Sequence, residues 1–221
     1  TPTPTPTPTP PPTPTPTPAA DQIIRPSVTL VTVGDRQGTG VIVHSSGLIL
    51  TVANLVGKAT TASVTLDDKR SFDATVLGLD EVRNLAILRI PATGLPAAKM
   101  GDSSKLALDQ RIVVVGYDSG TSRPAPRLGS LRGFRTSAAT GLEYIETDAA
   151  PGQGSQGGPA VNLQGEMVGL FVYVSPFTIP NTTHAATTNA ISSYVDKLKR
   201  GAKFFKETPF ASFPPGPSMP P

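Results

Sequence analysis

The sequence predicts an all-β domain, either a sandwich or a pair of barrels. Three observations carry this. Short runs rich in Val, Ile, Leu and Thr recur between Asp21 and Lys203. Gly-, Asp- and Ser-rich turns separate them, as at Gly34–Gly38 and Ser45–Gly47. Only one stretch, near the end, has helical periodicity.

Residues 1 to 20 form a Thr/Pro-rich linker or stalk, almost pure Thr-Pro as far as Pro18. Proline fixes φ and removes a donor, so polyproline II without a core is expected. At ~3.1 Å per residue it would reach roughly 55 Å. Residues 21 to 203 carry the domain. Its expected strands are Ser27–Val33, Thr39–Val43, Leu48–Val52, Ala62–Leu66, Phe72–Leu79 and Leu85–Ile90. A second group follows at Arg111–Gly116, Arg127–Phe134, Leu142–Thr147, Ala160–Asn162, Met167–Val174 and Thr183–Thr187. Ile191, Tyr194, Val195 and Leu198 then recur at i, i+3, i+4 and i+7, with Asn189 as the expected N-cap and Gly201 as the C-terminal stop. Residues 204 to 221 are a Pro-rich tail expected to be disordered.

Composition narrows the function. The chain has 221 residues, 38% hydrophobic and 16% charged, enough for one domain with a core. Its formal charge of +3 is spread over scattered Lys and Arg, so no nucleic-acid stripe is present. It has no cysteine, which removes disulfides, thiol catalysis and Cys-based zinc. His44 and His184 are the only imidazoles, so neither metal nor cofactor is expected. Asp67-Asp68 reads as a hairpin turn, because the several oxygen ligands of a calcium loop are not arranged nearby. No apolar run approaches the ~18 residues of a membrane helix. The sequence begins inside a repeat with no signal peptide, so an upstream segment is expected to provide any link to a membrane.

The chemistry-bearing stretch is PGQGSQGGPAVN, residues 151 to 162. Gly154-Ser155-Gln156-Gly157-Gly158-Pro159 reads as a tight turn with exposed N–H groups, able to cradle an anion or oxyanion.

Four stretches in order resemble trypsin-like serine proteases, the HtrA/Deg branch in particular. GTGVIVHSSGLILTVANLVG (Gly38–Gly57) resembles the segment leading to that family's catalytic histidine, written Thr-Ala-Ala-His or Thr-Asn-Asn-His. DEVRNLAILRI (Asp80–Ile90) resembles its catalytic-aspartate segment. MGDSSKLALDQRIVVVGY (Met100–Tyr117) follows its wording closely. TDAAPGQGSQGGPAVN (Thr147–Asn162) resembles its nucleophile loop, Gly-Asn/Asp-Ser-Gly-Gly-Pro. The match covers roughly residues 23 to 200. It implies two packed six-stranded β-barrels and a C-terminal helix. From the short sequence after Lys203, the PDZ domain that many relatives carry is not expected within this stretch.

The catalytic positions differ. Asn54 stands at the histidine position, Asn84 at the aspartate position and Gln156 at the serine position. A carboxamide is no general base near neutral pH, cannot stabilise an imidazolium and is a poor nucleophile. The resemblance therefore implies a pseudoprotease, an extracytoplasmic module that binds a peptide or protein through Gly154, Ser155, Gln156 and His184. The alternative is an unusual serine hydrolase using Ser155, with His184 or a carboxylate as base. A third reading is a spacer with no ligand. Asp148 and Asp80 read as structural and turn carboxylates, and His44 as a loop-tip histidine. Ala150, six residues before Gln156, makes an apolar, small-lined pocket the expectation. The sequence sets no oligomeric state. Asn54, Asn84 and Gln156 can both donate and accept, so a buried hydrogen-bonded chain of carboxamides is expected in place of a triad.

Overall fold

The computed structural model of the chain describes residues 19–172 and 183–205. The Thr-Pro stretch, the tail beyond Phe205 and the last two residues of the expected strand Met167–Val174 lie outside the described residues; Ala19 and Ala20, expected in the linker, instead open a helix, and Phe204, expected in the tail, ends a strand.

A short helix, α1 (Ala19–Ile24), leads into β1 (Val28–Val33), β2 (Arg36–His44) and β3 (Leu48–Thr51). One helical turn, α2 (Ala53–Val56), precedes β4 (Thr61–Thr65), β5 (Ser71–Asp80) and β6 (Leu85–Arg89). These six strands close a barrel in the order β1-β2-β3-β6-β5-β4, every neighbouring pair antiparallel. The second barrel is built from β7 (Arg111–Tyr117), β8 (Pro124–Thr136), β9 (Glu143–Thr147), β10 (Pro159–Val161), β11 (Met167–Phe171) and β12 (Thr183–Thr187). It closes in the order β7-β8-β9-β12-β11-β10. Helix α3 (Thr188–Lys199) follows, and a two-residue strand, β13 (Lys203–Phe204), returns to pair in parallel with the end of β5. The twelve expected strands are all present, and the double six-stranded barrel with a C-terminal helix is the observed fold.

The period-2 alternation of side chains explains how the barrels join. On β7, Ile112 and Val114 point into the second barrel's own core. The intervening Val113, Val115 and Tyr117 point the other way, into the larger core centred on the first barrel. One strand therefore serves two cores.

Helix α3 buries Ile191, Val195 and Leu198 at i, i+4 and i+7. Its N-cap is Thr187, whose hydroxyl accepts from Ala190 N at 3.4 Å, rather than Asn189. Asn189 lies inside the first turn and grips the preceding loop instead. Its Nδ2 donates to Asp102 Oδ1 at 2.8 Å, its Oδ1 accepts from Ser103 N at 3.3 Å, and its own N–H donates to Ser103 Oγ at 3.2 Å. Gly201 closes the helix as expected, with its N–H on Leu198 O at 2.9 Å.

That clamp makes a pH prediction. The hydroxyl of Ser104, then Asn189, then the Ser104 backbone hold Asp102 at about 2, below its ordinary 3.8. A depressed carboxylate stabilises the fold above the unfolded value, and this contribution is lost as pH falls toward the folded one. The Asp102 contribution should be complete above pH ~4 and absent below pH ~2. Denaturation midpoints of wild type and Asp102→Asn, measured between those limits, should converge as pH falls. Parallel curves would contradict the assignment.

Candidate functional site

The candidate site is assembled from three short segments. The first is α2. Its N-cap Val52 is extended, and Gly57 N returns to Ala53 O at 2.8 Å to close the single turn. Arg36 reaches across from β2, donating to Asn54 O at 2.9 Å and to Val56 O at 3.4 Å. Asn54 thus sits on a braced turn with its side chain exposed.

The second is the loop between β5 and β6. Asp80 is buried and accepts from Arg83 N at 2.9 Å and Arg83 Nη1 at 3.1 Å. The Arg83 guanidinium lies over the Tyr194 ring of α3, 3.9 Å from its centroid. This brace leaves Asn84 at φ 58°, a left-handed conformation that asparagine tolerates better than most residues.

The third is the loop from 151 to 158. Residues Gln153–Ser155 form one 3-10 turn. Three amides of the expected anion cradle are used by the chain itself. Ser155 N donates to Gly152 O at 3.0 Å, Gly157 N to Phe171 O at 2.8 Å and Gly158 N to Ser155 O at 2.9 Å. These amides are turned inward and satisfied by the chain itself.

Asn54, Asn84 and Gln156 meet. Asn54 Nδ2 donates to Gln156 Oε1 at 3.0 Å, and Asn54 N donates to Asn84 Oδ1 at 2.8 Å. The side-chain contact anticipated among them is therefore present, but not buried. Asn54 is exposed, and Asn84 and Gln156 are half-buried. Because all three are neutral, the cluster forms without a charge to desolvate.

The other expected site residues are elsewhere. Ser155 is 1% exposed, and its Oγ faces Asp118 Oδ1 at 3.5 Å instead of the cleft. Asp118 is held in turn by Arg127 at 2.6 Å. Gly154 is buried, and its carbonyl accepts from Thr39 Oγ1 at 2.9 Å. His184 on β12 is 4% exposed and lies against Glu146, its cross-strand partner on β9, at 3.4 Å. Burial works against the Glu146 carboxylate, but Arg135 at 2.5 Å and His184 override it and hold Glu146 below its usual range. His44 is exposed and bonds Ser46 at 2.8 Å, as a loop-tip histidine should. Asp148 accepts from Ser130 N at 2.7 Å and pairs with Arg132, a structural role. Asp67 and Asp68 form the turn between β4 and β5.

Sequence reasoning missed the residue that ties the loop from 151 to 158 to both barrels. Thr39 on β2 is fully buried. Its hydroxyl donates to Gly154 O and accepts from Tyr117 N, each at 2.9 Å. Its N–H donates to Gln156 O at 2.9 Å, and its carbonyl accepts from Thr51 Oγ1 at 2.7 Å. Its place between Gly38 and Gly40 was the available signal. Asp118 and Arg83 left none beyond the turn propensity of their neighbours.

The sequence profile of the trypsin-like peptidase domain matches residues 38–170, which includes Asn54, Asn84 and Gln156. The chain belongs to the trypsin-like peptidase family. Relatives of this domain are of HtrA/DegP type. The putative serine protease HhoA of Synechocystis sp. is 40% identical over 142 residues, 61% of this chain and 36% of its own length. A probable periplasmic serine endoprotease, DegP-like, of Marinomonas sp. is 32% identical over 169 residues, 75% of this chain and 36% of its own. The trypsin-like domain thus spans about a third of the length of these relatives. Among solved structures, the HtrA-type protease AlgW with tripeptide superposes with a TM-score of 0.75 at 24% identity, covering 84% of this chain and 65% of that one. The serine endoprotease from Yersinia pestis gives 0.72 at 26% identity, covering 82% and 65%.

Proposed function

We propose that this chain is a non-catalytic trypsin-like domain of HtrA/DegP type that binds a peptide or protein. The observation that carries the reading is the hydrogen-bonded carboxamide cluster at the three catalytic positions. Asn54 and Gln156 engage each other where a base and a nucleophile are required, and Asn84 engages the Asn54 backbone. Losses within a triad are not additive, so a single rescue would not restore the reaction. Peptide binding is supported by the name of one neighbour, an HtrA-type protease with tripeptide. An exported, extracellular or periplasmic setting is supported by relatives named periplasmic endoproteases, with the Thr-Pro segment as a stalk.

Hydrolysis through Ser155 is disfavoured. A carboxylate lies within 3.5 Å of its Oγ, but the side chain is closed off beneath the loop. Incubation with a serine-reactive fluorophosphonate and with broad peptide libraries should therefore give neither labelling nor turnover. Stoichiometric labelling at Ser155 would overturn the proposal.

A further inference from the structure

One stretch breaks the scatter of cations along this chain. Residues 197 to 206 hold five of its 19 Lys and Arg, bounded by Asp196 and Glu207 with no acid between them. The fold gathers the described part of this run, as far as Phe205, at one corner. The end of α3 carries Lys197 and Lys199, Arg200 caps it, and β13 holds Lys203 and Phe204. Arg200 N donates to Lys197 O at 3.1 Å, Ala202 N to the same carbonyl at 3.2 Å, and Leu79 N to Ala202 O at 3.2 Å. The backbones of Lys197 and Ala202 are therefore one hydrogen bond apart, and Lys203 follows directly.

The side chains of this corner stand in solvent. Lys197, Arg200 and Lys203 are exposed. Phe204 packs against the larger core, while Phe205, two residues from Lys203, is 59% exposed. Arg200 and Lys203 make no ion pair among the described residues, and the Lys197 ammonium lies 5.4 Å from the Tyr194 ring centroid. Three carboxylates border the corner. Asp196 is engaged by Lys199 at 3.4 Å, and Asp80 is buried against Arg83 at 3.1 Å. The third, Glu81, lies beside β13, its N–H on Phe204 O at 2.8 Å. Lys197, Lys199, Arg200, Lys203 and Arg83 outnumber them, so the corner is positive.

A partner for this corner must be anionic and must take up a phenyl ring. Lys predominates, and an ammonium is a hydrated point charge that needs no set geometry, unlike the bidentate fork of Arg. Clustered Lys and Arg beside an exposed Phe suit an anionic bilayer, where cations meet headgroups and the ring enters the interface. Single-stranded nucleic acid calls for successive stacking aromatics along a basic groove, and Phe204 is already committed to the core. We infer that the α3–β13 corner docks on anionic lipid headgroups, with Phe205 entering the interface. The attachment is weak and reversible, since each cation strengthens adsorption only about fivefold. It does not depend on the peptide-binding reading above.

The test is co-sedimentation of the full 221-residue chain with vesicles. The probes are phosphatidylcholine vesicles with and without about one-third phosphatidylglycerol, at about 0.1 M salt. The chain should bind the anionic vesicles at least about tenfold more tightly than the neutral ones. This preference should vanish at about 1 M salt, where charges are screened within about 3 Å. Arg200→Glu with Lys203→Glu should weaken binding at least about tenfold. Lys58→Glu with Arg123→Glu makes the same change in net charge at two exposed cations outside the run, and should leave binding within about twofold. Phe205→Ala should weaken it about threefold, through lost apolar area. All these side chains are exposed, so denaturation midpoints should not move. Equal binding to both vesicle types, or equal loss in both double variants, would overturn the proposal. So would oligodeoxythymidine or polyglutamate that displaces the chain from anionic vesicles by binding it more tightly. Unchanged binding in Phe205→Ala would overturn the part given to the ring.

Discussion

Gly157→Ala should destabilise the domain by about 3–4 kcal/mol, seen as a lower denaturant midpoint at unchanged m. Gly157 has φ +85°, a conformation that costs an L-residue about 1–3 kcal/mol on its own. A Cβ there would also stand 2.1 Å from Thr39 O and 2.7 Å from Thr51 Oγ1. The first is a backbone oxygen, so no side-chain rotation relieves the clash. Gly34 is the control. Its φ is also positive, +56°, but a Cβ there meets nothing within 4 Å. Gly34→Ala should therefore show only the backbone cost, about 1 kcal/mol. Similar losses at both positions would mean that the Thr39 contact is not what holds Gly157 in place.

Thr39→Val carries the second large effect. The substitution keeps the branched shape and removes the hydroxyl. It leaves the Gly154 carbonyl and the Tyr117 N–H without the partner each now has at 2.9 Å. Each orphaned buried group costs about 1–3 kcal/mol, so a total near 3 kcal/mol is expected. Thr39→Ser keeps the hydroxyl and should cost about 1 kcal/mol, through lost methyl burial. Hydrogen exchange gives a local readout, since the Tyr117 amide should lose protection in Thr39→Val and keep it in Thr39→Ser. Gly157 and Thr39 touch, so the double variant should fall short of the summed losses. Strict additivity would show that the two positions act independently.

The fold was legible because its rules are local. Short runs rich in Val, Ile, Leu and Thr marked the strands, and turn residues marked the breaks between them. What local rules could not place were β13 and α1, which are too short to show a period and owe their existence to what they dock on. The N-cap shifted from Asn189 to Thr187 because two polar residues two positions apart both suit a helix start, and the Asp102 loop claimed the second. The side-chain contact of Asn54 with Gln156 was legible from the order of the segments that carry them and from their residue types. Burial of Ser155, Gly154 and His184 was not. Nothing in a Gly-rich string says whether its amides turn outward or onto Gly152 and Phe171. That choice is made by residues from distant segments, Thr39 and Asp118, and distance along the chain hides them.

The return of β13 to the first barrel bears on how the protein is made. Leu79 N reaches Ala202 O at 3.2 Å, and Glu81 N reaches Phe204 O at 2.8 Å. The loop that carries Asn84 is thus sealed by residues translated more than a hundred positions later. During synthesis the first barrel emerges before either of its last two attachments, α3 and β13, exists. Its unsealed edge must wait for the second barrel to be threaded out, a late, non-local step of the kind that slows folding. Emergence of α3 and β13, rather than completion of the first barrel, is then the event that sets the loop of Asn84 in its final form.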